Sequence, residues 1–296
     1  MFDLRYHVAS LAAVFLALVI GIVVGVGISD RGLVDSGKRS LLESEVARLQ
    51  KQLDKAAQQS NDRDRDQQAA RTFISETYPA LVHNRLRGKK IAVVFVGSVK
   101  GDIRSAVSRA LTDAGAQQLR LRALKVPIDI RQLEGSLSSL PAADGLTGRS
   151  NLESLGRALG QELMFGGDTP LWNSITDLTS LVEERTGGTK TPADGVVIIR
   201  TVPPQKDGTS RFLLGLYSGL ASSAAPAVGV EQTDAADSAT AIFRQAGLST
   251  VDDIDTPVGR LALVLLLAGQ PSGQYGVKHS ATDGALPPLP TPPAGG

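Results

Sequence analysis

The chain has 296 residues, 42% of them hydrophobic, a formal net charge of +1 and no cysteine. That length suffices for one large domain or two small ones with a real core. The near-even charge and the 4% aromatic content argue against a nucleic-acid-binding surface, and the missing cysteine excludes disulfides, thiolate metal sites and a cysteine nucleophile. Histidine occurs only at His7, His83 and His279, and methionine only at Met1 and Met164. Soft metal ions prefer Cys, Met and His ligands, so no resident metal or other cofactor is expected.

Residues 1–7 form a short polar flank. From Val8 to Ile28 no residue carries a charge. A helix of that length spans about 30 Å, the thickness of a bilayer's hydrocarbon core. A cleaved signal peptide has an apolar region of about 7–15 residues. This one is longer and predicts an uncleaved transmembrane helix over 8–28. Within it Ala9, Ala13, Ala17, Gly21 and Gly25 recur every fourth residue. Such a small-residue stripe lets two helices approach closely, although Ala and Gly are also common in membrane helices generally. Arg5 precedes the span, whereas Arg31, Lys38 and Arg39 follow it, and this difference alone places the bulk of the chain inside.

Residues 32–85 predict a stalk. Leu42, Val46, Leu49, Leu53 and Ala56 alternate by four and three, the spacing of a coiled-coil seam. The seam weakens at Ser60, Arg63 and Gln67, so a solvated single helix is the alternative. Pro79 is expected to end the helix.

Residues 88–280 predict an open, layered, Rossmann-like α/β domain. Ile91–Val96 is a continuous apolar run closed by Gly97, as in a strand of a parallel sheet. Asp102 is expected to cap a helix with Ile103, Ala106, Val107, Ala110 and Leu111 on one face, and Leu119–Arg122 alternates like a second strand. The middle, Val126–Gly188, predicts helices near Asn151–Met164 and Leu171–Arg185 and no strand. Strands follow at Gly195–Ile199 and Ala227–Val230, helices at Arg211–Leu220 and Asp237–Gln245, and Leu261–Leu267 is expected as a last buried strand. Residues 281–296 are Pro-rich and expected to be an extended, disordered tail.

The turn Gly97-Ser98-Val99-Lys100-Gly101-Asp102 lacks both the dinucleotide glycine order and the P-loop ending, so it reads as an ordinary tight turn. Asp252, Asp253 and Asp255 are the densest acidic cluster, but their spacing does not fit a calcium loop. They are expected in a solvated loop, or one that meets a partner or ligand, with Tyr275. No Ser-His-Asp arrangement suggests itself, and no enzymatic activity is expected.

Phe2–Leu18, Ser249-Thr250-Val251-Asp252-Asp253-Ile254-Asp255 with Gly259-Arg260, and Gly273-Gln274-Tyr275-Gly276 together resemble the actinobacterial MctB family. The resemblance spans the whole chain and implies two roles. One is copper efflux or envelope permeability, with copper as a transported ion. The other is a SteB-like coiled-coil scaffold that recruits a SteA-like membrane protein and cell-wall enzymes during cell separation. It also implies a single-pass protein whose domain lies outside the cytoplasm, in the cell membrane or in an outer membrane where the host has one. That orientation is preferred here over the basic-residue count. A homodimer through the stripe and the seam is expected, and nucleic acid is not.

Overall fold

The computed structural model describes residues 4–27, 36–175, 179–184 and 191–289. The chain divides into two compact units, Met1–Gln68 and Ala69–Gly296. The first holds helix α1 (Leu4–Gly27) and most of α2 (Ser36–Val82). Eleven large apolar side chains of α1 stand 49–68% exposed. Each is worth ~1.5–3 kcal/mol when removed from water. Moving all eleven into an apolar phase releases more free energy than the ~5–15 kcal/mol net stability of a typical domain. Among the described residues α1 is the one helix long and apolar enough to cross a membrane.

The second unit is built on one mixed sheet. Its strands are β1 (Lys90–Val96), β2 (Gln117–Leu124), β3 (Thr179–Glu184), β4 (Gly195–Arg200), β5 (Ala227–Val230), β6 (Ser249–Val251) and β7 (Gln274–Tyr275). Their order across the sheet is β3-β2-β1-β4-β5-β6-β7. Six strands run parallel, and β3 closes one edge antiparallel to β2. Alternation in β1 feeds two cores. Ala92, Val94 and Val96 face one, and Ile91, Val93 and Phe95 face the other. The first core is covered by α4 (Ile130–Leu137), α5 (Leu152–Phe165), α6 (Pro170–Ser174), α7 (Asp207–Ala221) and α8 (Thr240–Gln245). The second is covered by α3 (Gly101–Asp113), α9 (Pro257–Leu267) and the end of α2.

Helices α5 and α7 meet backbone to backbone. A Cβ on Gly156 would lie 2.1 Å from the Phe212 carbonyl oxygen, and one on Gly160 would lie 2.5 Å from that of Leu216. The reciprocal contacts are tighter still: Gly215 against the Glu153 oxygen at 2.0 Å and Gly219 against that of Arg157 at 2.2 Å. Four glycines in two GxxxG pairs thus set the spacing between the helices.

Several expectations are overturned. Leu261–Leu267 is not a strand but the body of α9. Thr256 starts it by accepting a hydrogen bond from the Gly259 amide at 2.9 Å, and Pro257 occupies the first turn. Its apolar run is unbroken because the helix is buried all round, Leu261 to Leu267 being at most 4% exposed. The expected helix over Leu171–Arg185 stops at Ser174, and β3 follows. Strands β6 and β7, too short for a pattern, complete the sheet. Pro79 lies inside α2, which continues to Val82, and the His83 amide still donates to the Pro79 carbonyl at 3.1 Å. A mid-helix proline normally costs about 3 kcal/mol. It persists here between Tyr78 and Val82, both buried in the second core, with the Arg260 guanidinium 5.4 Å from the Tyr78 ring centroid. The expected tail is tied back at its start. The Gln274 amide donates to Asp283 at 2.7 Å, the Gly276 amide donates to the Gly284 carbonyl at 3.0 Å, and Leu286 packs on the core.

The helix contact is directly testable. Gly215→Ala places a methyl group inside van der Waals range of a backbone oxygen, and is expected to destabilise the domain by about 3 kcal/mol or more in urea unfolding. Gly135, exposed on α4 with open space around its Cα, is the control. Gly135→Ala is expected to stabilise by about 0.5–1 kcal/mol.

Candidate functional site

β1 sends the chain through α3 to the second core, and β4 sends it through α7 to the first. Where successive connections leave a parallel sheet on opposite faces, their loops part and leave a crevice at the carboxyl ends of the strands. Here it measures about 440 Å³ and is lined by residues including Lys100, Asp102, Arg200, Thr201, Gln232 and Asp237.

Gly97 makes the turn that opens it. Its φ is +104°, and a Cβ there would lie 2.5 Å from Val202 Cγ1. Thr201 Oγ1 donates to the Ser98 carbonyl at 2.7 Å and so ties the β1 and β4 loops together. Arg200 donates through Nη2 to the carbonyls of Ser238 at 2.7 Å and Asp237 at 3.3 Å, fixing the loop after β5. Lys100, not Asp102, is the residue preceding α3; Asp102 lies in its first turn. The Asp102 carboxylate accepts from Gln232 Nε2 at 3.0 Å. That bond, followed by the Ile103 amide, holds Asp102 below the usual carboxylate range.

Behind the crevice two of the three blocks of the family resemblance come together. β6 pairs with β7 through Thr250 to Gln274 and Val251 to Tyr275. Asp252, 1% exposed, accepts hydrogen bonds from the Val277 amide at 2.8 Å, the Lys278 amide at 3.3 Å and Ser280 Oγ at 3.0 Å. Gly276 allows this approach: a Cβ there would lie 1.9 Å from Asp252 Oδ1. The loop so held delivers Lys278 Nζ to Glu231 Oε1 and to the Gln232 carbonyl, each at 2.7 Å. Glu231 is 2% exposed and also accepts from Ser238 Oγ at 2.9 Å and the Ala239 amide at 2.7 Å. Asp255 accepts from the Thr233 amide and hydroxyl at 2.7 and 3.0 Å. Both bonds brace the crevice rim.

The expected solvated acidic loop is therefore corrected. Asp252, Asp253 and Tyr275 are buried, and only Asp255 is exposed. The sequence signal misled because a buried carboxylate fed by backbone amides looks, in one dimension, like a charged loop. Asp253 is 0% exposed; Thr256 Oγ1 donates to its Oδ2 at 2.8 Å, and Oδ1 has no partner. Burial above all, with the neighbouring Asp252 and Asp255, pushes it up to about 6, against the pull of the Thr256 hydrogen bond and, more weakly, of Lys278. Glu231, Gln232, Arg200 and Lys278 did not stand out in the sequence. Glu231 directly follows the buried strand β5, a position at which α/β sheets place functional residues.

The other predicted residues lie in the first unit. Ala13, Ala17, Gly21 and Gly25 are exposed on α1, and a Cβ at Gly21 or Gly25 meets nothing within 4 Å. Val46, Leu49 and Leu53 are 55%, 45% and 67% exposed on α2. The Leu42 side chain and Ile28 lie outside the described residues. Among the described residues no group of three His, Cys, Asp or Glu is placed to hold a metal ion.

The family described as "Copper transport outer membrane protein, MctB" matches residues 1–286. The Copper transporter MctB of Mycobacterium tuberculosis (strain ATCC 25618 / H37Rv) is 30% identical, the match covering 95% of this chain and 98% of that protein. That of Mycobacterium leprae (strain TN) is also 30% identical, covering 97% and 100%. The chain belongs to the MctB family. Family description and α1 both point to a membrane.

Asp253 gives the site a pH signature. A carboxyl group whose folded pKa is raised binds its proton more tightly in the native state, so stability falls as pH rises through the interval between the two pKa values. Here that interval runs from the ordinary 3.8 to about 6. The urea midpoint is expected to fall from pH 4 to pH 6.5, and Asp253→Asn to flatten that slope. Asp252→Ala strands three donors and is expected to cost about 2–4 kcal/mol at pH 7 in the same measurement.

Proposed function

We propose that this protein is a single-pass, non-enzymatic envelope protein that serves copper export, with its α/β domain outside the cytoplasm. The observation that carries the reading is the exposed apolar face of α1 on a chain of this family. Copper is cargo in this reading, not a resident cofactor. The chain has no cysteine and two methionines, too few soft ligands to hold the ion by itself. The sheet is open, with edges at β3 and β7, so one domain encloses no channel. Export then requires an assembly. The stripe Ala13, Ala17, Gly21 and Gly25 and the seam Val46, Leu49 and Leu53 are the surfaces proposed to pair two copies, as both are apolar or small and exposed.

Deletion of the gene is expected to make cells hypersensitive to copper with normal septa. Wild type should restore tolerance, and a form with α1 replaced by a cleavable signal should not. Chained cells with unchanged copper tolerance would instead establish the cell-separation scaffold. Gly21→Leu with Gly25→Leu is expected to lower dimer cross-linking in membranes by about fivefold, the effect of ~1 kcal/mol at a helix pair.

A further inference from the structure

We propose that the loop 252–256 is a proton-operated latch: with Asp253 neutral it holds the crevice rim and the 276–280 loop against the domain, and with Asp253 ionised it releases them. The opening is local, confined to these segments while the two cores stay packed. It rests on this domain alone and does not depend on the copper reading.

The acids of the loop reach different segments. Asp252 accepts from the Val277 and Lys278 amides and from Ser280 Oγ, and so holds the 276–280 loop. Asp255 accepts from the Thr233 amide and hydroxyl, and so holds the rim. Its carbonyl also accepts from Arg260 Nη1 at 3.0 Å, which ties the loop to α9. Asp253 sits between them and is the least satisfied. Its Oδ2 receives the Thr256 hydroxyl, and its Oδ1 has no partner among the described residues. The first turn of α9 closes over it: a Cβ on Gly259 would lie 2.6 Å from Oδ1 and 2.1 Å from the Asp253 carbonyl oxygen.

A neutral carboxyl tolerates such a seat. An ionised one, buried with an unpartnered oxygen, is costly, and contact with water relieves the cost. The surrounding charges favour release. Asp252 and Asp255 repel an ionised Asp253 from within its own loop. Lys278, from the 276–280 loop, attracts it, but that ammonium already donates to Glu231 and to the Gln232 carbonyl. Arg260, from α9, is engaged by the Asp255 carbonyl and the Tyr78 ring. His279 stands exposed in the 276–280 loop. Ile254 and Leu261, on either side of the α9 cap, are at most 4% exposed and anchored in the second core. The 276–280 loop lies outside helix and strand and carries Val277 at 60% exposure, so it is the segment free to move. Burial raises the Asp253 carboxyl to about 6, which sets the changeover between mildly acidic and neutral solution.

Because the chain has no cysteine, Val277→Cys carries a single nitroxide label on the moving loop, and Gly135→Cys carries one on exposed α4 as control. Electron paramagnetic resonance of the full-length protein in detergent micelles is recorded from pH 4.5 to pH 7.5. The label at 277 is expected to be restrained at the acid end and mobile at the neutral end, with a midpoint of about 6, while the label at 135 stays unchanged. Asp253→Asn is expected to keep the 277 label restrained throughout, its urea midpoint at pH 4.5 showing that it folds. Asp255→Asn gives a second reading that does not depend on that variant. Asparagine keeps the acceptor oxygen and removes one repelling charge, so the transition is expected at lower pH. Histidine changes charge in the same range, and His279→Gln is expected to leave the transition in place. A 277 label indifferent to pH overturns the proposal. So does a transition that survives Asp253→Asn, stays unshifted in Asp255→Asn, vanishes in His279→Gln or is matched at 135.

Discussion

The sheet's central strands must be covered on both faces, and most of the domain follows from that. β1 and β4 carry apolar side chains on both sides, so neither side can meet water. Helices must therefore reach both faces, and the chain has to change sides between neighbouring strands. It does so between β1 and β4. The crevice there is the geometric residue of that change: a hollow that core packing produces and polar side chains then furnish.

The furnishing depends on a chain of buried polar contacts. Asp252 gathers the amides of Val277 and Lys278, which positions Lys278 on Glu231, which in turn receives the Ser238 hydroxyl and the Ala239 amide. Each link desolvates a charge that would be costly alone and is tolerable because the next link answers it. Two segments about twenty residues apart in sequence, 249–255 and 273–280, are thereby one structural object. The residues of these two motif blocks thus act mainly on one another, and reach the crevice through Asp255 and through Lys278 just beyond the second block.

Legibility from sequence tracked the range of the interaction that decides each element. Ile91–Val96 and Gly195–Ile199 could be read as strands because their own apolar runs settle the matter, and α5 and α7 by their helical period. α9 could not, because Leu261–Leu267 lacks a polar residue to mark a period; the informative residues were Thr256 and Pro257, just outside the run. β3 was missed because an edge strand needs few apolar residues. The glycine pairs of α5 and α7 follow the same spacing as Gly21 and Gly25 in α1, but inside amphipathic helices nothing in the local pattern marks them as a contact. The acidic block was seen, but its burial is set by amides supplied from 277–278, and no local pattern reports that.

The end of α2 has a practical consequence. Tyr78 and Val82 belong to the second core, as does Leu86 just beyond, and Arg260 on α9 lies over the Tyr78 ring. Burial, with Asp113 adding to it, pushes the Tyr78 phenol up to about 12. A recombinant fragment trimmed to the first strand would thus lack a piece of its own interior and show bare leucine and valine on α3 and α9 to solvent. The natural place to sever the α/β unit from α1 lies upstream of Ala69, where the second compact unit starts.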